Sequence, residues 1–96
     1  MDRKELADAF AEIGDELLST ELLTPSEREK VAAWTAGMGL ALTMGEAQKV
    51  KNYRASLGAM LGVVELRAAA ASEKALLRVA NLGLEILTKL ALAALV

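Results

Sequence analysis

Residues 47–95, AQKVKNYRASLGAMLGVVELRAAAASEKALLRVANLGLEILTKLALAAL, decide the fold, because they hold half the chain and no conventional turn signal. There is no Pro, no Asn-Gly or Asp-Gly pair, and a run of alanines, Ala68 to Ala71, stands where a turn is wanted. Read as one continuous helix, the stretch would be roughly 70 Å long at about 1.5 Å per residue. A compact chain of this size has a radius of gyration of only about 12.5 Å. The spacing predicts helices over 46–71 and 72–95, the second continuous with the first unless a turn near Ala71-Ser72 folds them into a four-helix monomer.

Within this stretch Val50, Leu57, Leu61, Val64 and Ala68 recur at heptad-like spacing, and Gly58 and Gly62 form a GxxxG on another face. Charged neighbours (Lys49, Lys51, Arg54, Glu65 and Arg67) make the motif a close soluble helix contact and not a membrane dimer. In 72–95 two apolar rows lie side by side: Leu76, Val79, Gly83, Ile86, Leu90 and Ala93, and next to them Leu77, Ala80, Leu84, Leu87, Ala91 and Ala94. After Lys74 the polar side chains (Arg78, Asn81, Glu85, Thr88 and Lys89) are confined to an arc of roughly 100°. One antiparallel neighbour covers one row, so two rows call for further neighbours. The fold class expected is all-α, long amphipathic helices in a hairpin or bundle completed by homo-oligomerisation, with Gly58, Gly62, Leu76, Val79, Gly83, Ile86 and Leu90 at the interface.

Working outward toward the N-terminus, residues 31–45 carry no charge on any side and include Gly37, Gly39 and Gly45, so a helix over 25–44 is expected to be buried all round. Its start is marked by Thr24-Pro25-Ser26-Glu27: Thr24 caps, Pro25 suits the first helical position because its missing N–H is not needed there, and Glu27 completes a capping box. Thr43-Met44-Gly45-Glu46 is a second candidate box and places a kink or turn near Gly45. Before it, Leu6, Phe10, Ile13 and Leu17 recur at four, three and four residues, with Asp8, Glu12, Asp15 and Glu16 on other faces, which predicts an amphipathic helix over 2–22. The whole chain reads as a single helical domain.

Composition sets the functional bounds. Of 96 residues, 58 are Ala, Leu, Glu, Lys or Arg, the usage of long helices. No Cys and no His occur, which removes disulfides, zinc fingers, haem ligation, imidazole catalysis and thiol nucleophiles. The glycines are not followed by the Lys-Ser/Thr pair of a phosphate loop. The acidic side chains of residues 8–16 lack a His or a second carboxylate helix of matching spacing, so no di-metal site is expected. The expectation is a non-enzymatic protein without cofactor or metal.

The formal charge is −2, but residues 1–30 carry nine acids against four bases and residues 31–96 four acids against seven. This asymmetry suits head-to-tail contacts between chains, or an acidic first helix that meets another protein. Eight charges in the first 18 residues, six of them acidic, are unlike a secretory leader, and the longest charge-free run is too short to span a bilayer, so a cytoplasmic location is expected. Lys49, Lys51 and Arg54, interleaved with Asn52 and Tyr53, form the one basic cluster. Repeated round a symmetric assembly it would neutralise phosphates, giving the alternative of an oligomeric nucleic-acid-associated protein such as a small regulator or a phage-type packaging factor. The first expectation remains a self-assembling or adaptor protein whose partner is a second copy of itself.

Overall fold

The computed structural model describes residues 1–95, which form four helices: α1 (Arg3–Leu18), α2 (Pro25–Thr43), α3 (Ala47–Arg67) and α4 (Ala71–Ala94). They run up, down, up and down, each packed on the next, and α1 closes the ring on α4. No strand occurs among the described residues. The bundle measures 40 × 22 × 19 Å with a radius of gyration of 12.8 Å, so the 70 Å rod does not form.

The chain instead reverses between α3 and α4 in three alanines. Ala68 is extended (ψ 128°), and the Ala70 N–H donates to the Glu73 carboxylate at 3.0 Å. This is half a capping box, since Ala70 has no side-chain oxygen with which to reciprocate. What fixes the end of α3 is tertiary. Both Arg67 terminal nitrogens donate to Glu27 at the start of α2, at 2.8 and 2.6 Å, and one also donates to the Leu22 carbonyl at 3.2 Å. A bidentate clamp of this kind fixes direction as well as distance. It pins the last turn of α3 to the α1–α2 loop and leaves α4 to turn back, where Leu77, Ala80, Leu84 and Ala91 enter the core.

The α1–α2 connection begins earlier than the periodicity predicts, at Ser19 and not after Leu22. The Ser19 and Thr20 hydroxyls donate to the Glu16 and Leu17 carbonyls, and the Arg28 guanidinium reaches back to the Leu18 and Thr20 carbonyls. These donors satisfy the carbonyls that a further helical turn would have used. The Thr24 capping box forms as predicted, with Glu27 N–H to Thr24 Oγ1 at 3.2 Å and Thr24 N–H to Glu27 Oε1 at 2.9 Å.

At the α2–α3 connection the turn falls at Gly45, but the second candidate capping box does not form. Thr43 lies inside α2 and its hydroxyl donates back to the Gly39 carbonyl. Gly45 adopts φ +74°, with its N–H on the Leu42 carbonyl and the Glu46 N–H on the Ala41 carbonyl, which is a Schellman ending that favours glycine at this position.

The core is a single cluster: Leu6, Phe10 and Leu17 from α1; Val31, Met38 and Leu42 from α2; Val50, Leu57, Leu61 and Val64 from α3; Leu77, Leu84 and Ala91 from α4. Two glycines mark close helix approaches. Gly14 of α1 faces Thr35, and the Tyr53 ring of α3 lies on Gly37, where a Cβ would stand 2.5 Å from the ring. The expectation that residues 31–45 are buried all round is not met. Ala32, Ala33, Ala36, Leu40, Thr43 and Met44 are exposed, because a four-helix ring covers only the inner half of each helix. Beyond the exposed Glu29 and Lys30, the outer face of α2 is Ala32, Ala33, Ala36, Leu40 and Thr43, of which Leu40 is the large apolar side chain left in water.

Candidate functional site

The outer surface of α4 is the feature that the bundle does not explain. Of the two apolar rows, the one containing Leu77, Ala80, Leu84 and Ala91 is buried. The other faces outward: Leu76, Val79, Ile86 and Leu90, with Leu82 beside them, are between 38% and 68% exposed. Together these five side chains leave roughly 450 Å² of surface in water, within the range of the largest apolar patch on an ordinary monomer.

The rotation of α4 about its own axis is as telling as the area. At about 100° per residue, the polar arc of Arg78, Asn81, Glu85, Thr88 and Lys89 has its centre opposite a point between the two apolar rows. A helix turned for maximum burial would put that point against the core. Instead α4 is turned by roughly a quarter of a revolution, so that Thr88 is buried and Asn81 half-buried while Val79 and Ile86 look outward. The cost of this rotation is visible. Asn81 Oδ1 is buried without a hydrogen-bond partner, beside Gly58 and the Arg54 side chain, while Thr88 is satisfied by the Leu84 carbonyl at 2.6 Å. Burying amides while exposing Ile and Val runs against the usual sorting of side chains.

The remaining predicted interface residues separate. Gly83 is half-buried and takes the Ile13 side chain of α1, 3.1 Å from where a Cβ would stand. Gly58 is half-buried under Arg54, facing Asn81. Gly62 faces open space, so within the chain α4 meets only the Gly58 half of the GxxxG. The Arg78–Glu65 ion pair bridges α4 and α3 between Gly62 and the exposed row. A flat partner helix therefore meets the α4 row or the GxxxG, not both.

The basic cluster also divides. Lys49 and Lys51 are about 200° apart around α3. Lys49 is paired with Glu46 at 2.8 Å, which raises its pKa, and Arg54 folds over Gly58 on the side toward α4. Tyr53 has its ring on Gly37 and is not a free stacking platform. The acidic side chains of α1 are exposed, and among the described residues no group of three or more carboxylates gathers as a metal site would require. Two shallow clefts remain. One, of about 270 Å³ at the α3–α4 reversal, is lined in part by Arg67, already committed to Glu27. The other, of about 230 Å³, lies between Ala11, Asp15 and Leu18 of α1 and Ala32, Thr35 and Ala36 of α2. The hydroxyl in the second cleft, Thr35, donates to the Val31 carbonyl of its own helix at 2.8 Å. No described helix is long and apolar enough to cross a membrane.

The row that the sequence reading assigns to an interface, Leu76, Val79, Ile86 and Leu90, is the outward one; the rotation of α4 that turns it outward was not foreseen. The signal for the rotation was Asn81, a polar residue whose neighbour Gly58 is too small to exclude it. Comparison with protein-family models, with curated proteins and with solved structures finds no match to this chain.

Proposed function

We propose that the protein is a non-enzymatic self-assembling module whose activity is association with a second copy of itself through the outward row of α4. The observation that carries this is the rotation of α4: a helix that buries Thr88 and half-buries Asn81 while presenting Leu76, Val79, Leu82, Ile86 and Leu90 is arranged for a second apolar neighbour. The α3 face beside Gly62 exposes two large apolar side chains, Val63 and Leu66, against five on α4, so the interface proposed from the sequence narrows to the α4 part of it. The divided basic cluster likewise offers nucleic acid no continuous track, and nothing in the two clefts suits a reaction.

Sedimentation of the purified chain tests this. The subunit mass is 10.1 kDa, and the native species at micromolar concentration is expected at twice that mass or a higher multiple. Val79→Glu combined with Ile86→Glu is expected to reduce it to the subunit mass without loss of helicity, since both side chains are more than half exposed and outside the core. A wild-type species that stays at 10.1 kDa throughout the micromolar range overturns the proposal.

A further inference from the structure

The face that carries the α4 row is not uniform across its width, and its charge pattern bears on how two copies would lie. Gly14 and Ala7 mark the side of α1 that meets α2, and at about 100° per residue Glu5, Glu12 and Glu16 fall in one row almost opposite, on the side of α4. All three are exposed, and among the described residues none has a cation within ion-pairing distance. On α4 the edge next to α1 is marked by Gly83 against Ile13, whereas Arg78 and Lys89 project from the other edge, toward α3, where Arg78 reaches Glu65. Both bases remain largely exposed beyond their pairs with Glu65 and Glu85. Across the face the order is therefore an acidic row, an apolar row and a row of two bases, Arg78 and Lys89, each already paired with a carboxylate of its own chain.

We infer that two copies pair with their α4 helices parallel, about a two-fold axis running along the bundle, so that the acidic row of each lies on the basic row of the other. This rests on the self-association proposed above and specifies its geometry. A two-fold axis along the helices reverses the order of the rows, so acid meets base on both sides of the apolar seam. A two-fold axis across the helices preserves the order, so α1 lies over α1 and carboxylate faces carboxylate. Like charges across an interface cost free energy and disfavour that arrangement.

The heights agree. α1 and α4 are antiparallel, and the Ile13–Gly83 contact sets their register. Glu16 then lies level with Ala80, and Glu5 level with Ala91, so Glu16 is about 3 Å along the axis from Arg78 of the other copy and Glu5 about 3 Å from its Lys89, while Glu12, level with Leu84, stands beside Glu85, which Lys89 already pairs. Long side chains span such offsets. Area points the same way. Two apolar rows bury roughly 900 Å², just below the approximately 1,000 Å² expected of a specific interface, and the flanking charged rows bring the total above it.

The chain has no cysteine, so one introduced thiol per copy reads out direction. Ser72 and Ala93 are exposed near opposite ends of α4, on the side of the outward row. Under mild oxidation, S72C alone and A93C alone are each expected to form a disulfide-linked dimer, because a parallel pair brings identical positions within the roughly 7 Å between Cα atoms that a disulfide allows. If each variant alone stays unlinked and only a mixture of the two crosslinks, the helices are antiparallel and the inference fails while self-association stands. If no variant crosslinks and sedimentation gives the subunit mass, both fail. The charges are tested separately. E16R and R78E are each expected to weaken pairing about tenfold, and an equimolar mixture to recover it as a heterodimer. Unchanged or tighter pairing by E16R alone overturns the inference.

Discussion

Gly37 and Gly62 occupy similar positions in their sequences, in apolar helices rich in alanine, yet their surroundings oppose each other. A Cβ at Gly37 would stand 2.5 Å from the Tyr53 ring, and a Cβ at Gly62 meets nothing within 4 Å. Gly37→Ala is expected to destabilise the bundle by about 1–3 kcal/mol through overpacking, with Tyr53 forced from its seat. Gly62→Ala is expected to stabilise it by up to about 1 kcal/mol, the helix propensity that glycine forgoes. Denaturant unfolding of the two variants beside the wild type checks both signs. The sequence identified both glycines as unusual, but glycine in a helix has the same appearance whether a ring rests on it or water does. Only the position of Tyr53, three residues after Val50 on the flank toward α2, separates them.

At the scale of elements, local chemistry made the start of α2 legible and left the end of α3 unreadable. Thr24, Pro25 and Glu27 act within one turn of one another, so their meaning survives without the rest of the molecule. Ala68 to Ala71 carry no such meaning. The reversal there depends on Arg67 finding Glu27, 40 residues earlier, and on Leu77 and Leu84 finding the core. The end of α1 is similar: the donor that replaces its last turn is Arg28, ten residues on from the Leu18 carbonyl it serves. Because the α4 start has only half a capping box, Ala70→Asp should complete it. Ala70 has the extended backbone of an N-cap (φ −86°, ψ 143°), and a side-chain oxygen there would accept from the Glu73 N–H. The expected gain is about 1 kcal/mol, read as a raised melting temperature.

For the molecule as a whole, the Arg67–Glu27 clamp ties the third helix to the second and makes stability depend on acid. Hydrogen bonds from Arg67, and then the Thr24 backbone N–H, hold the Glu27 carboxyl down to about 2 from an ordinary value of 4.5. A carboxyl depressed by folding contributes its stability above the unfolded value and loses it as pH falls through the folded one. The wild type should therefore lose this contribution between about pH 4.5 and 2, and Arg67→Ala should be less stable at neutral pH with a shallower fall across that window. Thermal unfolding of both proteins over the same pH series checks it.

The apolar side chains that the helices turn outward, Leu40 of α2, Val63 and Leu66 of α3 and the α4 row, leave another mark on the molecule in bulk. Six of the thirteen acids lie on α1 and the loop after it, and the net charge of only −2 is the small difference between thirteen acids and eleven bases. Near pH 5.1, where the net charge of the sequence passes through zero, the long-range repulsion that keeps dissolved copies apart is gone, while every alanine, leucine and valine facing water stays as it was. Mild acidification should thus bring clouding well before unfolding, with the suspension clearing again once further protonation gives the particles a positive sign.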